Sequence, residues 1–327
     1  MRALVYDGPG RPLRLMTLPT PVPGAGQVLL QVHACAICRT DLHLLDGALA
    51  HPVLPLVPGH QVVGTIAACG PGVDAECLGQ RVGVSWLGGA CGACAACRDG
   101  RENLCPDARF TGYHLPGGFA DYTVAAADFC TPLPDGPTPA ELAPLLCAGA
   151  IGRRALDLAG AGERLGLYGF GAAAHLLTQL ARLEGRRVFA FTRPGDAARQ
   201  AAARTLGAEW AGGSDQRPPE PLDVAIIFAP AGELVPLALG AVAPGGVVVC
   251  AELRMTDLPR LPYELLHGER VLRSVAHVTR KDVERVVTLA SHAPLRASVT
   301  AFSLDHFGDA FAALRAGKIS GSAVLVP

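Results

Sequence analysis

Hydrophobic and polar positions follow two rhythms along this chain, and the rhythm changes at about residue 165. Ahead of that point, short apolar runs at residues 4–6, 28–33, 62–67, 81–84 and 122–125 are separated by Gly and Pro, the punctuation of strands joined by irregular turns. The spacing predicts an irregular β-rich domain. Beyond it, apolar runs at 165–168, 188–192, 224–228, 247–251 and 271–276 alternate with helical stretches at 172–183, 197–206 and 233–241. Such alternation predicts a parallel sheet wrapped by helices, and a short run at 209–211 raises its strand count to six. The expected class is α/β, with a β-rich domain beside a doubly wound parallel sheet.

The first turn of the parallel region reads Leu167-Tyr168-Gly169-Phe170-Gly171-Ala172-Ala173-Ala174, a G-x-G-x-x-A sequence between an apolar strand and a helix. Gly169 permits a tight turn, Gly171 lets backbone amides approach a pyrophosphate at the helix start opened by Ala172, and Ala174 allows close helix–strand packing. The alternative is a turn kept for steric reasons alone. The next strand ends in Thr192 and Arg193 instead of a carboxylate that would bond a ribose 2′-hydroxyl, so a guanidinium suited to a 2′-phosphate favours NADP(H) over NAD(H). Asp196 is a nearby alternative contact to a ribose hydroxyl.

Composition narrows the field of partners. The 327 residues are 50% hydrophobic and 17% charged with a formal net charge of −1, and the 28 basic residues form no stripe, which disfavours nucleic acid. No apolar run approaches bilayer length and no signal-like segment opens the chain, so the expected location is cytoplasmic, off the membrane.

Two groups of metal-ligand residues stand out. Cys91, Cys94, Cys97 and Cys105 follow C-x2-C-x2-C-x7-C, a spacing suited to a closed tetrahedral zinc site that holds structure; a disulfide cluster is the alternative reading. Cys38, His60 and Cys147 are dispersed, but two thiolates and an imidazole make a set that leaves the fourth position of tetrahedral zinc open. Cys35, Cys69, Cys77, Cys130 and Cys250 lack suitable neighbours in sequence and read as small hydrophobes.

Taken in order, the run Cys38-Arg39-Thr40-Asp41-Leu42-His43, the Gly59-His60 turn, the four-cysteine loop, Gly118-Phe119-Ala120-Asp121-Tyr122, Cys147-Ala148-Gly149 and the Gly169 turn resemble zinc-dependent alcohol dehydrogenases of the medium-chain dehydrogenase/reductase family. The resemblance runs from the first strand to the last. It implies a GroES-like catalytic domain at 1–148 with a structural zinc loop at 88–106, a Rossmann domain at 149–281, and a return to the first domain at 282–327 through strands at 297–302 and 323–326. A cleft between the domains would hold cofactor, metal and substrate.

By the same resemblance, Cys38, His60 and Cys147 bind a catalytic zinc, and the four loop cysteines bind a structural one, two Zn2+ per subunit. Asp41 orients His60, Thr40 takes the proton of the substrate alcohol, His43 passes it toward solvent, Arg39 and Arg280 contact the cofactor pyrophosphate, and Trp86 lines the substrate pocket. Thr40 and Asp41 could instead cap a helix, and either arginine could be a surface charge. Gln61 stands where the family usually has Glu, and Ile151 where Thr is common.

The expected activity is hydride transfer between a small, primary alcohol or its aldehyde and a nicotinamide, in a homodimer or homotetramer. A zinc-independent quinone or enone reductase of the same superfamily would not need the joint Cys38, His60 and Cys147. A non-enzymatic zinc-stabilised redox sensor would have no use for Thr40 and His43.

Overall fold

One long strand, Gln27–Ile37, organises the first half of the protein because its inward positions are almost all apolar and buried. The computed structural model describes residues 1–293 and 295–327. They fold as two units, Met1–Ala150 with His277–Pro327, and Ile151–Ala276.

In the first unit the strand order is Val299–Ser303, Ser322–Val326, Gln27–Ile37, Val62–Cys69, Arg81–Val84 and Cys130–Pro132, with Tyr122–Ala126 also paired to Gln27–Ile37. All the pairings are antiparallel except the parallel one between Val299–Ser303 and Ser322–Val326. Register shifts at Leu29/Leu30 and Val32/Ala34 bend the long strand, as bulges do. The core beneath it gathers Val28, Leu30, Val62, Val84, Phe119 and Phe311, with the two phenyl rings edge to face at 5.9 Å. Each such side chain, fully buried, contributes about 1.5–3 kcal/mol.

The second unit holds six parallel strands in the order Trp210–Gly213, Arg187–Thr192, Arg164–Tyr168, Leu222–Ile227, Val242–Cys250 and Val271–Ser274. Numbered within the unit this is 3-2-1-4-5-6, the order of dinucleotide-binding Rossmann sheets. Its central strands are buried along most of their length, which is why they read as continuous apolar runs in the sequence. Tyr168 and Phe191, register partners, stack at 4.0 Å.

Helix Ala172–Leu183 has the predicted limits, and Ala197–Thr205 and Leu234–Ala241 each end or start one residue inside them. Helices Ala148–Ala159, Arg280–His292 and Phe307–Arg315 were not foreseen from periodicity. The units divide at 150/151 and 276/277, where the sequence suggested 148/149 and 281/282. Helix Ala148–Ala159 runs through the first of these points, and Arg280 opens a helix of the first unit.

Candidate active site

The C-R-T-D run folds as a capping box around a sulfur. Cys38 is the N-cap of helix Arg39–Leu45, its Sγ accepts from the Thr40 amide at 3.2 Å, and Asp41 Oδ2 accepts from the Cys38 amide at 2.8 Å. Capping therefore is part of what Asp41 does, whereas Thr40 enters the cap through its backbone amide alone. The other carboxylate oxygen of Asp41 stands 3.3 Å from His60 Nδ1, with both side chains buried. That partnership leaves Nε2 of His60 as the ligand atom, and Nε2 has no hydrogen-bond partner among the described residues.

His60 follows Gly59, whose φ of +96° and crowding against Phe119 and Cys35 exclude any side chain there. Cys147 sits between the 3-10 turn Ala143–Leu146 and helix Ala148–Ala159. Although these three residues come from distant stretches, the ligand atoms of Cys38, His60 and Cys147 all lie within 4.8 Å of one another. A hydrogen bond with Cys147 and the neighbouring imidazole hold the Cys38 thiol well below its ordinary range, while burial pushes the Asp41 carboxyl up against the pull of His60. A buried imidazole nitrogen without a partner, facing two thiols, is a donor set that fits Zn2+.

The four-cysteine loop brings its sulfurs together with the same economy. Sγ of Cys91 lies 4.0 Å from that of Cys97 and 3.5 Å from that of Cys105, and the amides of Cys91 and Cys94 point at cysteine sulfurs at 3.4 Å. Tetrahedral zinc with bonds of about 2.3 Å sets its sulfurs about 3.8 Å apart, so this geometry fits the metal. All four are free thiols, which removes the disulfide alternative from this structure.

In the second unit Gly169 has φ +89°, and a Cβ there would meet the Ala229 backbone at 2.9 Å. Gly171 is the N-cap of helix Ala172–Leu183 without a side-chain cap, and space for a Cβ lies open around it. Ala174 is buried. The uncapped amides behind Gly171 and Ala172 form an anion-ready helix start. Thr192 is buried, its one hydroxyl proton within reach of the Arg193 carbonyl at 3.0 Å and the Gly212 carbonyl at 3.3 Å, and its oxygen accepts from Gln200. Arg193 is exposed, and Asp196 caps the next helix and pairs with Arg199 at 2.6 Å.

Residues 24–135 match the family model of the alcohol dehydrogenase GroES-like domain. The chain is 43% identical over 324 residues to the probable alcohol dehydrogenase AdhA of Mycobacterium tuberculosis (strain CDC 1551 / Oshkosh), with 96% of this chain and 93% of that relative covered. This chain belongs to the medium-chain alcohol dehydrogenase family. A second relative, an alcohol dehydrogenase of Geobacillus stearothermophilus, is 34% identical over 337 residues, covering 99% of this chain and 98% of its own. The cobalt- and zinc-bound thermostable alcohol dehydrogenase of Pyrobaculum aerophilum is similar in structure, with a TM-score of 0.90, 26% identity and coverage of 100% and 99%. Membership of an alcohol dehydrogenase family makes the protein an oxidoreductase.

Around the dispersed triad of this alcohol dehydrogenase lies an aromatic cluster that sequence reasoning saw only in part. The rings of Trp86 and His60 meet near perpendicular with centroids 4.9 Å apart, Trp86 stacks on Phe110 and Tyr113, and His277 lies 4.7 Å from Phe110 and 6.0 Å from Trp86. Phe110 and His277 are separated by more than half the chain, and no local spacing could have joined them. His277 has φ +56°, a conformation non-glycine residues rarely adopt, and such outliers often mark functional positions.

Arg39 is exposed at the first helical position, with Thr40 and His43 three residues apart on one side of the same helix. Arg280 donates through its amide and Nε to Glu102 of the four-cysteine loop, through a second nitrogen to the Asp128 carbonyl, and lies 4.7 Å over Phe129. Gln61 is buried and its amide donates to the Ala36 carbonyl at 3.1 Å, so it ties the loop to the long strand. One expectation is corrected here: Cys69 and Cys77 do have suitable neighbours, since their sulfurs lie 2.9 Å apart. The eight-residue separation hid the contact, which is made by the end of a strand and a following 3-10 turn.

Among the described residues no helix is long and apolar enough to cross a membrane.

Proposed function

We propose that the protein is a zinc-dependent alcohol dehydrogenase and aldehyde reductase, moving a hydride between a small, primary alcohol and a nicotinamide cofactor, with NADP(H) favoured over NAD(H). The observation that carries this is the convergence of Cys38, His60 and Cys147 within 4.8 Å, backed by Asp41. Cys38, His60 and Cys147 would hold Zn2+, which would supply Lewis acidity toward an alcohol or carbonyl oxygen. The nicotinamide supplies the hydride acceptor or donor.

The chain's own residues do the rest. Asp41 fixes the tautomer and orientation of His60. Thr40 receives the proton of the alcohol, and His43, its neighbour one turn along the helix, passes it outward. Trp86, set near perpendicular to the His60 ring, narrows the space beside the metal and favours primary alcohols over secondary ones. Gly169, Gly171, Ala172 and Ala174 shape the helix start that holds the pyrophosphate, with Thr192 supporting the end of the next strand and exposed Arg193 meeting the 2′-phosphate. Arg39 and Arg280 add positive charge for the pyrophosphate, Arg280 being aimed by Glu102. Cys91, Cys94, Cys97 and Cys105 hold a second, structural zinc. The working form is a cytoplasmic homodimer or homotetramer.

Metal counting tests the proposal. Fully loaded protein is expected to carry two zinc ions per subunit, and Cys147→Ser to lose one of them together with alcohol oxidation while still binding nucleotide. A single zinc in the fully loaded wild type, retained in Cys147→Ser, would overturn it.

A further inference from the structure

Outside both metal-ligand sets, the first unit carries a third cluster of thiols. Cys69 ends strand Val62–Cys69, Cys77 ends the 3-10 turn Ala75–Cys77, and their sulfurs approach to 2.9 Å. Cys69 also donates toward the Asp74 carbonyl at 3.7 Å. Both thiols are half-buried, whereas the turn around them, at Pro71, Gly72, Asp74, Glu76 and Leu78, is exposed, so a small oxidant has a short way in. Cys130 packs against the same core, and its Sγ is engaged with the Ala126 carbonyl at 3.5 Å.

We propose that Cys69 and Cys77 form a reversible intramolecular disulfide when the protein meets a peroxide, a modification site separate from the two metal centres. Two sulfurs in mutual contact need to close to about 2.05 Å, and the intervening segment is a short exposed turn able to adjust. Cys69 donates its thiol proton toward the Asp74 carbonyl and is pushed up to about 11 by its hydrogen bond with Cys77, and Cys77, at the end of the exposed turn, is assigned as the sulfur that attacks first.

The chemistry balances with hydrogen peroxide as oxidant. The Cys77 thiolate attacks one peroxide oxygen, the O–O bond breaks, and the departing hydroxide takes up a proton as water, leaving Cys77 as a sulfenic acid. The Cys69 sulfur then attacks Cys77, the S–O bond breaks, and hydroxide leaves with the Cys69 proton as a second water. Each sulfur gives up one electron and peroxide is reduced to two waters. The product pins the last residue of Val62–Cys69 to the turn that follows it, closing a loop whose first end is already held to the long strand by the Gly70 amide, which donates to the Gln27 carbonyl at 2.8 Å. In a reducing compartment such a bond is transient, and a thiol reductant returns it to the dithiol.

The test uses the zinc-loaded, full-length protein exposed to limiting hydrogen peroxide. Free thiols are then blocked, and the digested peptides are weighed before and after reduction. The expected result is a linked Cys69–Cys77 peptide pair lighter by two hydrogens, restored by dithiothreitol, with zinc content unchanged and the melting temperature raised. Cys69→Ser should stop at a Cys77 sulfenic acid, trapped by a dimedone probe, and Cys77→Ser should form no linked pair and show no rise in melting temperature. Recovery of both cysteines as blocked thiols after other thiols have oxidised, or linkage of Cys77 to Cys130 instead, would overturn the proposal. Having two single variants guards against either one folding poorly.

Discussion

Replacing Asp41 by Asn probes the candidate centre without removing a ligand. In the wild type one carboxylate oxygen accepts from the Cys38 amide at 2.8 Å and the other faces His60 Nδ1 at 3.3 Å, both in a buried setting. Asn keeps the shape but offers one acceptor and one donor. If its carbonyl stays with Cys38, its NH2 group faces Nδ1 and favours the tautomer with the proton on Nε2, where the metal should bind. Partners of metal-bound histidines are worth about 10–100-fold in metal affinity, or about 1.4–2.7 kcal/mol. If the carbonyl turns to His60 instead, the helix cap loses a hydrogen bond, at about 1 kcal/mol of stability. Competition of the loaded protein against a chromophoric chelator near neutral pH should therefore show two classes of zinc, one unchanged and one released about 10–100-fold more readily, with alcohol oxidation falling in parallel. Equal retention of both zinc ions by the variant, with wild-type turnover, would refute the role given to Asp41.

Four further outcomes are expected. Arg193→Asp should lower the preference for NADP(H) over NAD(H) by about 10–100-fold, the worth of a charge-assisted hydrogen bond, measured as the ratio of kcat/KM values; an unchanged ratio would remove Arg193 from the 2′-phosphate. Trp86→Ala should raise kcat/KM for secondary or branched alcohols about tenfold or more relative to ethanol, and an unaltered substrate profile would assign the indole to packing alone. Gly59→Ala would place a Cβ 2.6 Å from the Phe119 ring at a positive φ, so a melting-temperature loss corresponding to about 1–3 kcal/mol and weaker zinc retention are expected; wild-type stability would contradict the close packing. Burial holds the His277 imidazole down to about 4. Because this lies below the unfolded value of about 6.5, its contribution is complete above that pH and is lost as pH falls toward 4, up to about 3 kcal/mol. His277→Phe should flatten that part of the acid limb of thermal stability, and an identical acid limb would show that His277 does not titrate there.

Much of the chemistry was legible in the residues because it is local. The four loop cysteines lie within one short segment, so their spacing alone predicts that the sulfurs meet, and they do. The Gly169 turn and helix Ala172–Leu183 follow from backbone freedom at one glycine and the periodicity after it. Cys38-Arg39-Thr40-Asp41 likewise encodes its own helix start, since a cap needs only residues three apart. Helix Arg280–His292 was also written locally, in the capping box of Thr279 and Asp282 and the apolar Val283, Val286 and Val287, but neighbouring strand-like residues masked it.

What the sequence determined by itself is the set of parts whose forces act over a few residues: periodicity, turns, caps and a cysteine knuckle. Tertiary structure alone decided which distant side chains share an environment. It set Cys147 and His60 beside Cys38, laid His277 against Phe110 and Trp86, gave Arg280 to Glu102, and closed Cys69 on Cys77. These contacts arise because burying the apolar faces of the strands fixes where every attached side chain must lie, and that constraint belongs to the packed sheet as a whole and is not carried by any short stretch of chain.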